Sequence, residues 1–312
     1  MVKIAFLFPG QGSQAIGMGK AAADSSAQAR QLAQRADGVL GFELSKTMFE
    51  GPEDRLKDTA VTQPALYVAS AMALEQLKTR GLKATWTAGH SLGEYSALYA
   101  AGALDFETGL NLVKERGRIM SEAGKEKPGA MAAVIGLDAE KLEAVCREAA
   151  SLGVCAPANY NSESQIVISG EAAAVAKAME LATAAGAAKV VPLNVSGAFH
   201  SPLMSEAAAR MKVFLDAATF RDASIPVLTN VDAAPTTASA DFKKKLFQQI
   251  DHPVRWHESM KRLNELGAEA FIEVGSGRVL STMAKKLDRK KSVAATDDME
   301  GVDKTFLGGV VS

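Results

Sequence analysis

The run TWTAGHSLGEYSALYAAGAL at residues 85 to 104 joins three kinds of local structure. Thr85 to Ala88 reads as a short strand, GHSLG at 89 to 93 as a tight turn, and EYSALYAAGAL from Glu94 onward as a helix. A serine at GxSxG spacing on a strand-to-helix turn is pushed above the sheet edge with its hydroxyl exposed. The two glycines, Gly89 and Gly93, leave room for that turn because they carry no side chain. Ser91 is therefore the candidate covalent nucleophile; the bland alternative is a plain glycine-rich turn.

Strands and helices alternate outward from this run. Lys3 to Phe8 is β-rich and ends at Pro9-Gly10, and a polar, alanine-rich helical stretch follows to about Leu40. Between Gln63 and Arg80, Leu66, Ala69, Ala73, Leu74 and Leu77 recur at helical spacing. This alternation predicts an α/β fold, a mostly parallel sheet covered on both faces.

Between Lys125 and Ser196 the order changes. AMAAVIGL, VCAPANYN, SQIVISG and AKVVPLNV read as strands, and AEKLEAVCREAA and AAAVAKAMELATAAG as helices. The resulting βαββαβ order is the ferredoxin-like split unit. KEKPG at 125 to 129 and SGAFHSP at 196 to 202 mark its borders. A small domain at 125–197 is thus expected to interrupt a larger one built from 1–124 and 198–312. The larger part should resume with a helix over 203–218, a strand from Ile225 to Asn230, helices near 239–250 and 255–266, a strand from Ala270 to Val274, and one last helix.

The chain has 312 residues, 47% of them hydrophobic, enough for a large core. Its 35 basic and 36 acidic side chains nearly cancel, so no global field favours nucleic acid. Two cysteines, Cys146 and Cys155, give no disulfide framework and no zinc spacing, which fits a reducing compartment. The first apolar run is too short for a secretory signal, and no stretch approaches the roughly 20 apolar residues that cross a bilayer. A cytoplasmic, monomeric protein without a metal or cofactor is expected.

A serine nucleophile needs a base, usually histidine. Of the four histidines, His90 adjoins Ser91 on the tight turn, so its side chain should diverge from the serine. His252 precedes Pro253, and His257 lies on the charged stretch HESMKRL. His200, in the loop SGAFHSP between an expected strand and helix, stands where such sheets place functional groups, with the other three as alternatives. Acids between Ser91 and His200, such as Asp105 or Glu171, fall in helices or the small domain. A dyad with a neutral acceptor behind the histidine is therefore expected.

Acyl transfer also needs two N–H donors for the tetrahedral oxyanion, one after the nucleophile and one from a separate glycine-rich loop. Leu92 and Gln11, the latter in FPGQGSQ at 8 to 14, fit those roles, with a structural turn as the alternative for the loop. FPGQGSQ matches neither the dinucleotide nor the P-loop spacing. On FETGLNLVKERGRIM, Leu112, Val113, Arg116, Ile119 and Met120 share one helical face, which puts Arg116 within the apolar stripe. A buried guanidinium needs an anion: an internal salt bridge on one reading, a substrate carboxylate on the other.

FPGQGSQ at 8 to 14, GHSLGEYSAL at 89 to 98, Arg116 in ERGRIM, ANYNS at 158 to 162, GAFHSPLM at 197 to 204 and QQIDHPVRW at 248 to 256 occur in order over nearly the whole chain. Together they resemble the malonyl-CoA:acyl carrier protein transacylase family. The resemblance implies that Ser91 carries malonyl, that His200 is its base, and that the main-chain carbonyl of Gln249 orients His200. It implies that Arg116 clamps the malonyl carboxylate, that the Gln11 and Leu92 amides form the oxyanion hole, and that Phe199 favours malonyl. A hydrolase-like core with a ferredoxin-like insert is the implied fold. Malonyl-CoA and an acidic acyl carrier protein are the implied partners, in a ping-pong exchange supplying fatty-acid or polyketide synthesis. The basic run Lys285, Lys286, Arg289, Lys290 and Lys291 offers such a carrier a patch, or is simply a solvated helix end. A serine hydrolase of similar architecture, and an inactive acyltransferase-like binding module, are the competing readings.

Overall fold

The computed structural model describes residues 2–195 and 197–308. Ten strands form two sheets among these residues. In the larger sheet, β1 (Ile4–Phe8) lies centrally, paired in parallel with β2 (Trp86–Gly89) on one side and β9 (Ala270–Glu273) on the other. The remaining members are β7 (Val227–Leu228), β8 (Pro235–Thr236) and β10 (Ser292–Ala295), in the order β10-β9-β1-β2-β7-β8. Only β7 and β8 pair antiparallel.

β1 is buried along its whole length. Ile4, Phe6 and Phe8 join the cluster beneath the helices Thr59–Thr79 and Phe106–Glu126, while Ala5 and Leu7 join Trp256, Leu263 and Phe271 on the opposite face. A strand with both faces covered reads as a continuous apolar run, as IAFLF does.

The smaller sheet consists of β3 (Ala130–Ile135), β4 (Cys155–Ser162), β5 (Gln165–Gly170) and β6 (Lys189–Pro192), all antiparallel, in the order β4-β5-β3-β6. Helices Ala139–Ala149 and Ala172–Ala184 cover one face through Leu142, Val145, Val175 and Ala178, giving this sheet its own core. Its β4 is tied to the larger body by two main-chain bonds, Tyr160 N–H to Val254 O (2.9 Å) and Val254 N–H to Ala158 O (2.9 Å).

The structure departs from the sequence expectations in several places. Helices Leu44–Glu50 and Glu53–Lys57 occupy a region with no expected element. A strand and a helix, β10 and Met299–Phe306, follow the helix Val279–Leu287 that was expected to be the last. SVAA in β10 is short and alanine-rich, so it lacks a local β signal. Finally, β7 has two residues rather than the six from Ile225 to Asn230; the Asn230 main chain donates to Glu94 Oε2 and accepts from Arg255 N–H instead of extending the ladder. Among the described residues, no helix is long and apolar enough to cross a membrane.

Candidate active site

β2 ends at Gly89, the helix Gly93–Ala100 begins four residues later, and Ser91 is the middle of the turn between them. The turn needs its glycines. A Cβ on Gly89 would lie 1.9 Å from Gly93 O, and one on Gly93 would lie 2.1 Å from Phe8 O. Ser91 itself has φ 51°, in the left-handed region that disfavours a side chain. Such strain amounts to roughly 1–3 kcal/mol and persists only where neighbours hold it. Asn230 supplies the hold: its Oδ1 accepts from Ser91 N–H (2.7 Å) and its Nδ2 donates to Gly89 O (2.7 Å).

His200 shares the unusual backbone, with φ 58°, and is 4% exposed. Its Nε2 lies 2.7 Å from Ser91 Oγ, and its Nδ1 lies 2.7 Å from the main-chain oxygen of Gln249. A carbonyl oxygen can only accept, so the proton must be on Nδ1. Nε2 is then bare and accepts the Ser91 hydroxyl proton. Burial, reinforced by the nearby Arg116 guanidinium, pulls the His200 imidazole down to about 3. It is thus neutral near pH 7, the form in which it can act as a base.

The other histidines do not reach Ser91. His90 turns away to Asn161 Oδ1 (2.8 Å) and packs against Trp256 with ring centroids 5.6 Å apart. His252 pairs with Asp251 at the surface, and His257 belongs to the helix Trp256–Glu265. Among the described residues, no carboxylate bonds His200.

Arg116 is 1% exposed. Its Nη1 donates to Gln63 Oε1 (2.8 Å), and its Nη2 donates to Gln249 Oε1 (2.9 Å) and Ser91 Oγ (3.0 Å). Every partner is neutral, Nε–H has no acceptor among the described residues, and the guanidinium lies 5.7 Å over the Tyr95 ring. Burial lowers its pKa. Of the two readings of this arginine, the internal salt bridge is absent among the described residues.

Ser91 opens into a cavity of about 670 Å³ whose lining includes Gln11, Leu92, Arg116, Phe199 and His200. The main-chain N–H groups of Gln11 and Leu92 donate to no described residue, while the Gln11 side chain is held by Thr59 Oγ1 (3.2 Å). Lys57 and Lys125, both exposed, are at the rim. All seven residues singled out from sequence therefore converge: Gln249 contacts Arg116, His200 and Ser91, and the other six line the cavity. Sequence reasoning missed Gln63, Glu94 and Asn230. Their one local signal was polarity inside otherwise apolar segments, AVTQPALY, GEYSAL and VLTNV.

The basic run is elsewhere. The helix Val279–Leu287 leaves the C-terminal end of β9 and returns to the opposite edge of the sheet, where Ser292 of β10 pairs with Ala270. Ser91 follows the C-terminal end of β2, which runs parallel to β1 and β9. Strand lengths of four residues, about 13 Å, separate the two edges. Lys285 Nζ donates to Lys291 O (2.9 Å) and Lys291 Nζ to Ala268 O (2.6 Å), so these lysines close a turn. Lys285, Lys286, Arg289, Lys290 and Lys291, expected as a carrier patch, are absent from the lining of this cavity.

A serine on a strained elbow above a mostly parallel sheet, bonded to a neutral buried histidine, defines the class of serine-dependent acyl-transfer enzymes. Comparison with known proteins narrows the class. The model of the acyl transferase domain matches residues 5–300. The malonyl CoA-acyl carrier protein transacylase of Bacillus subtilis is 47% identical over 304 residues, covering 97% of this chain and 96% of the relative. That of Synechocystis is 41% identical, covering 96% of this chain and 100% of the relative. Two solved structures superpose with TM-scores of 0.93. One is an acyl carrier protein S-malonyltransferase from Vibrio cholerae (39% identity, 97% and 99% coverage). The other is a malonyl-transacylase in complex with a type II PKS acyl-carrier protein (38% identity, 97% and 99% coverage). The chain belongs to the malonyl CoA-acyl carrier protein transacylase family of acyltransferases.

Proposed function

We propose that this enzyme transfers malonyl from malonyl-CoA to the phosphopantetheine thiol of acyl carrier protein through a malonyl ester on Ser91. The observation that carries it is Arg116, a buried cation beside the nucleophile whose partners are all neutral. An unpaired buried charge is costly, so the site favours an acyl group that brings its own carboxylate. Malonyl supplies one at the far end of a short acyl chain.

In the first half-reaction His200 Nε2 takes the Ser91 proton as Oγ attacks the thioester carbon. The oxyanion faces the Gln11 and Leu92 amides, each stabilising it by roughly 3 kcal/mol. As it collapses, the C–S bond breaks and the CoA sulfur leaves with the proton from His200. In the second half-reaction the carrier thiol gives its proton to His200 and attacks the ester, and Ser91 Oγ recovers the proton on leaving. Gln249 O holds the imidazole through Nδ1 in both halves, replacing the acid of a triad. Phe199, buried in the cavity wall, limits the room beside the acyl group and so favours malonyl over branched analogues.

The strand order β4-β5-β3-β6 supports a ferredoxin-like small domain over 125–197 within a hydrolase-like core of 1–124 and 198–312. The carrier approaches as a single partner at the cavity mouth, where Lys57 and Lys125 meet its acidic surface. The product supplies malonyl units to fatty-acid synthesis, with polyketide synthesis drawing on the same chemistry. The test is incubation with malonyl-CoA and phosphopantetheinylated carrier: malonyl should appear on the carrier thiol. Release as free malonate, with the carrier unmodified, would instead make the protein a hydrolase.

A further inference from the structure

Gln249 is the hub of the site, because four bonds leave it. Its main-chain oxygen accepts from His200 Nδ1, and its side-chain Oε1 accepts from Arg116 Nη2 (2.9 Å). Its Nε2 donates to Ser91 O (2.8 Å) and to Glu94 Oε2 (2.7 Å). A side-chain amide can be turned end for end within nearly the same space, and only its partners decide which end faces which way. Ser91 O and Glu94 Oε2 both demand a donor. Glu94 is 1% exposed, and its Oε2 also accepts from Asn230 N–H (3.2 Å), so it is fixed from two sides.

We propose that Glu94 is a positioning residue for acyl selection: by accepting from Gln249 Nε2 it fixes the amide so that Oε1 faces Arg116 and holds the guanidinium beside Ser91. The inference rests on the proposed role of Arg116 as the carboxylate clamp. The chain of bonds from Glu94 through the amide to Arg116 places one neutral group between a buried anion and a buried cation. A direct ion pair would neutralise the charge that the substrate carboxylate is proposed to meet. The intervening amide orients the guanidinium through a neutral oxygen and so leaves its charge unneutralised by a directly bonded anion.

The acceptor, more than the charge, is what the role requires. Oε2 makes both bonds, whereas Oε1 has no partner among the described residues. Burial also raises the Glu94 carboxyl to about 7, so the neutral form is readily reached. A glutamine at this position can put its oxygen where Oε2 is and its NH₂ where Oε1 is.

The test compares transfer of malonyl and acetyl from their CoA thioesters by the wild type, Glu94→Gln and Glu94→Leu, with formation of the malonyl adduct on wild-type Ser91 measured in parallel. Glu94→Gln should keep the malonyl-to-acetyl ratio of kcat/KM within about threefold, and Glu94→Leu should lower it by about tenfold or more, the loss of roughly one charge-assisted hydrogen bond. Equal losses for both donors in Glu94→Leu would mean a merely structural role and overturn the proposal. So would Glu94→Gln failing as badly as Glu94→Leu. Should Glu94→Leu not fold, Gln249→Met, which removes the amide and keeps the main-chain acceptor, must show the same fall in ratio; an unchanged ratio overturns the proposal. A wild type that forms no malonyl adduct refutes the transfer reading and this inference with it, whereas an adduct with an unmoved ratio refutes this inference alone.

Discussion

The helix Phe106–Glu126 carries two arginines two residues apart, and its two faces treat them oppositely. On the outer face Arg118, with a side chain 43% exposed, bonds Glu115 at 2.8 Å and Glu122 at 2.9 Å. On the inner face Arg116 is fully enclosed and bonds two amides and a hydroxyl. The outer pairs are where charge costs least to leave unpaired, yet they are satisfied by acids of the same helix. The inner charge, where an anion would matter most, bonds none directly among the described residues. Among the described residues no carboxylate bonds Arg116 directly, Glu94 reaching it only through the Gln249 amide, which supports the proposal that the position is kept for an anion arriving with the substrate.

The largest effect should come from removing the inner charge. Arg116→Ala is expected to lower kcat/KM for malonyl-CoA about a hundredfold, from loss of charge-assisted bonds to the carboxylate, with little loss for acetyl-CoA. Steady-state rates with the two thioesters measure it; equal losses for both would erase the distinction between the faces.

The same substitution should change the pH profile. Arg116 is the second cause, after burial, of the low pKa of His200, so its removal raises that pKa. The neutral base is lost as pH falls through the folded value. The acid limb of kcat/KM for acetyl-CoA, near pH 3 in the wild type where the protein stays folded, should therefore move upward in the variant. A limb that stays put or moves down would separate Arg116 from His200 electrostatically.

A smaller effect concerns carrier binding. Lys125→Glu at the cavity rim should raise KM for the carrier several-fold at low salt, and Lys290→Glu at the far edge of the sheet should leave it unchanged. The reverse ranking would make the basic run, not the cavity rim, the docking surface. Smallest of all, Arg118→Ala should change unfolding free energy by less than about 0.5 kcal/mol, as exposed pairs do, and leave rates alone. Glu122 keeps Arg210 as a partner in that variant.

Much of this contrast was legible in the sequence. Arg116 falls on the apolar stripe by helical spacing, and the elbow, β1 and the βαββαβ order announce themselves through short-range patterns. Periodicity reports which face a residue occupies, and nothing about which distant group it meets. Asn230 reaches Ser91 across 139 positions and Gln249 reaches Glu94 across 155, so neither bond has a local signature. The role of Gln249 came from family resemblance, because a main-chain acceptor leaves no mark on residue choice. The basic run is ambiguous for the opposite reason: a cluster of charge is conspicuous in sequence whether it binds a partner or closes a turn.

The most direct measurement is intact-protein and peptide mass spectrometry after brief reaction with malonyl-CoA. A single malonyl ester on the peptide holding Ser91 is expected, present in the wild type, absent in Ser91→Ala, and discharged when carrier thiol is added. No adduct, or one on another residue that persists in Ser91→Ala, would contradict a covalent cycle through Ser91.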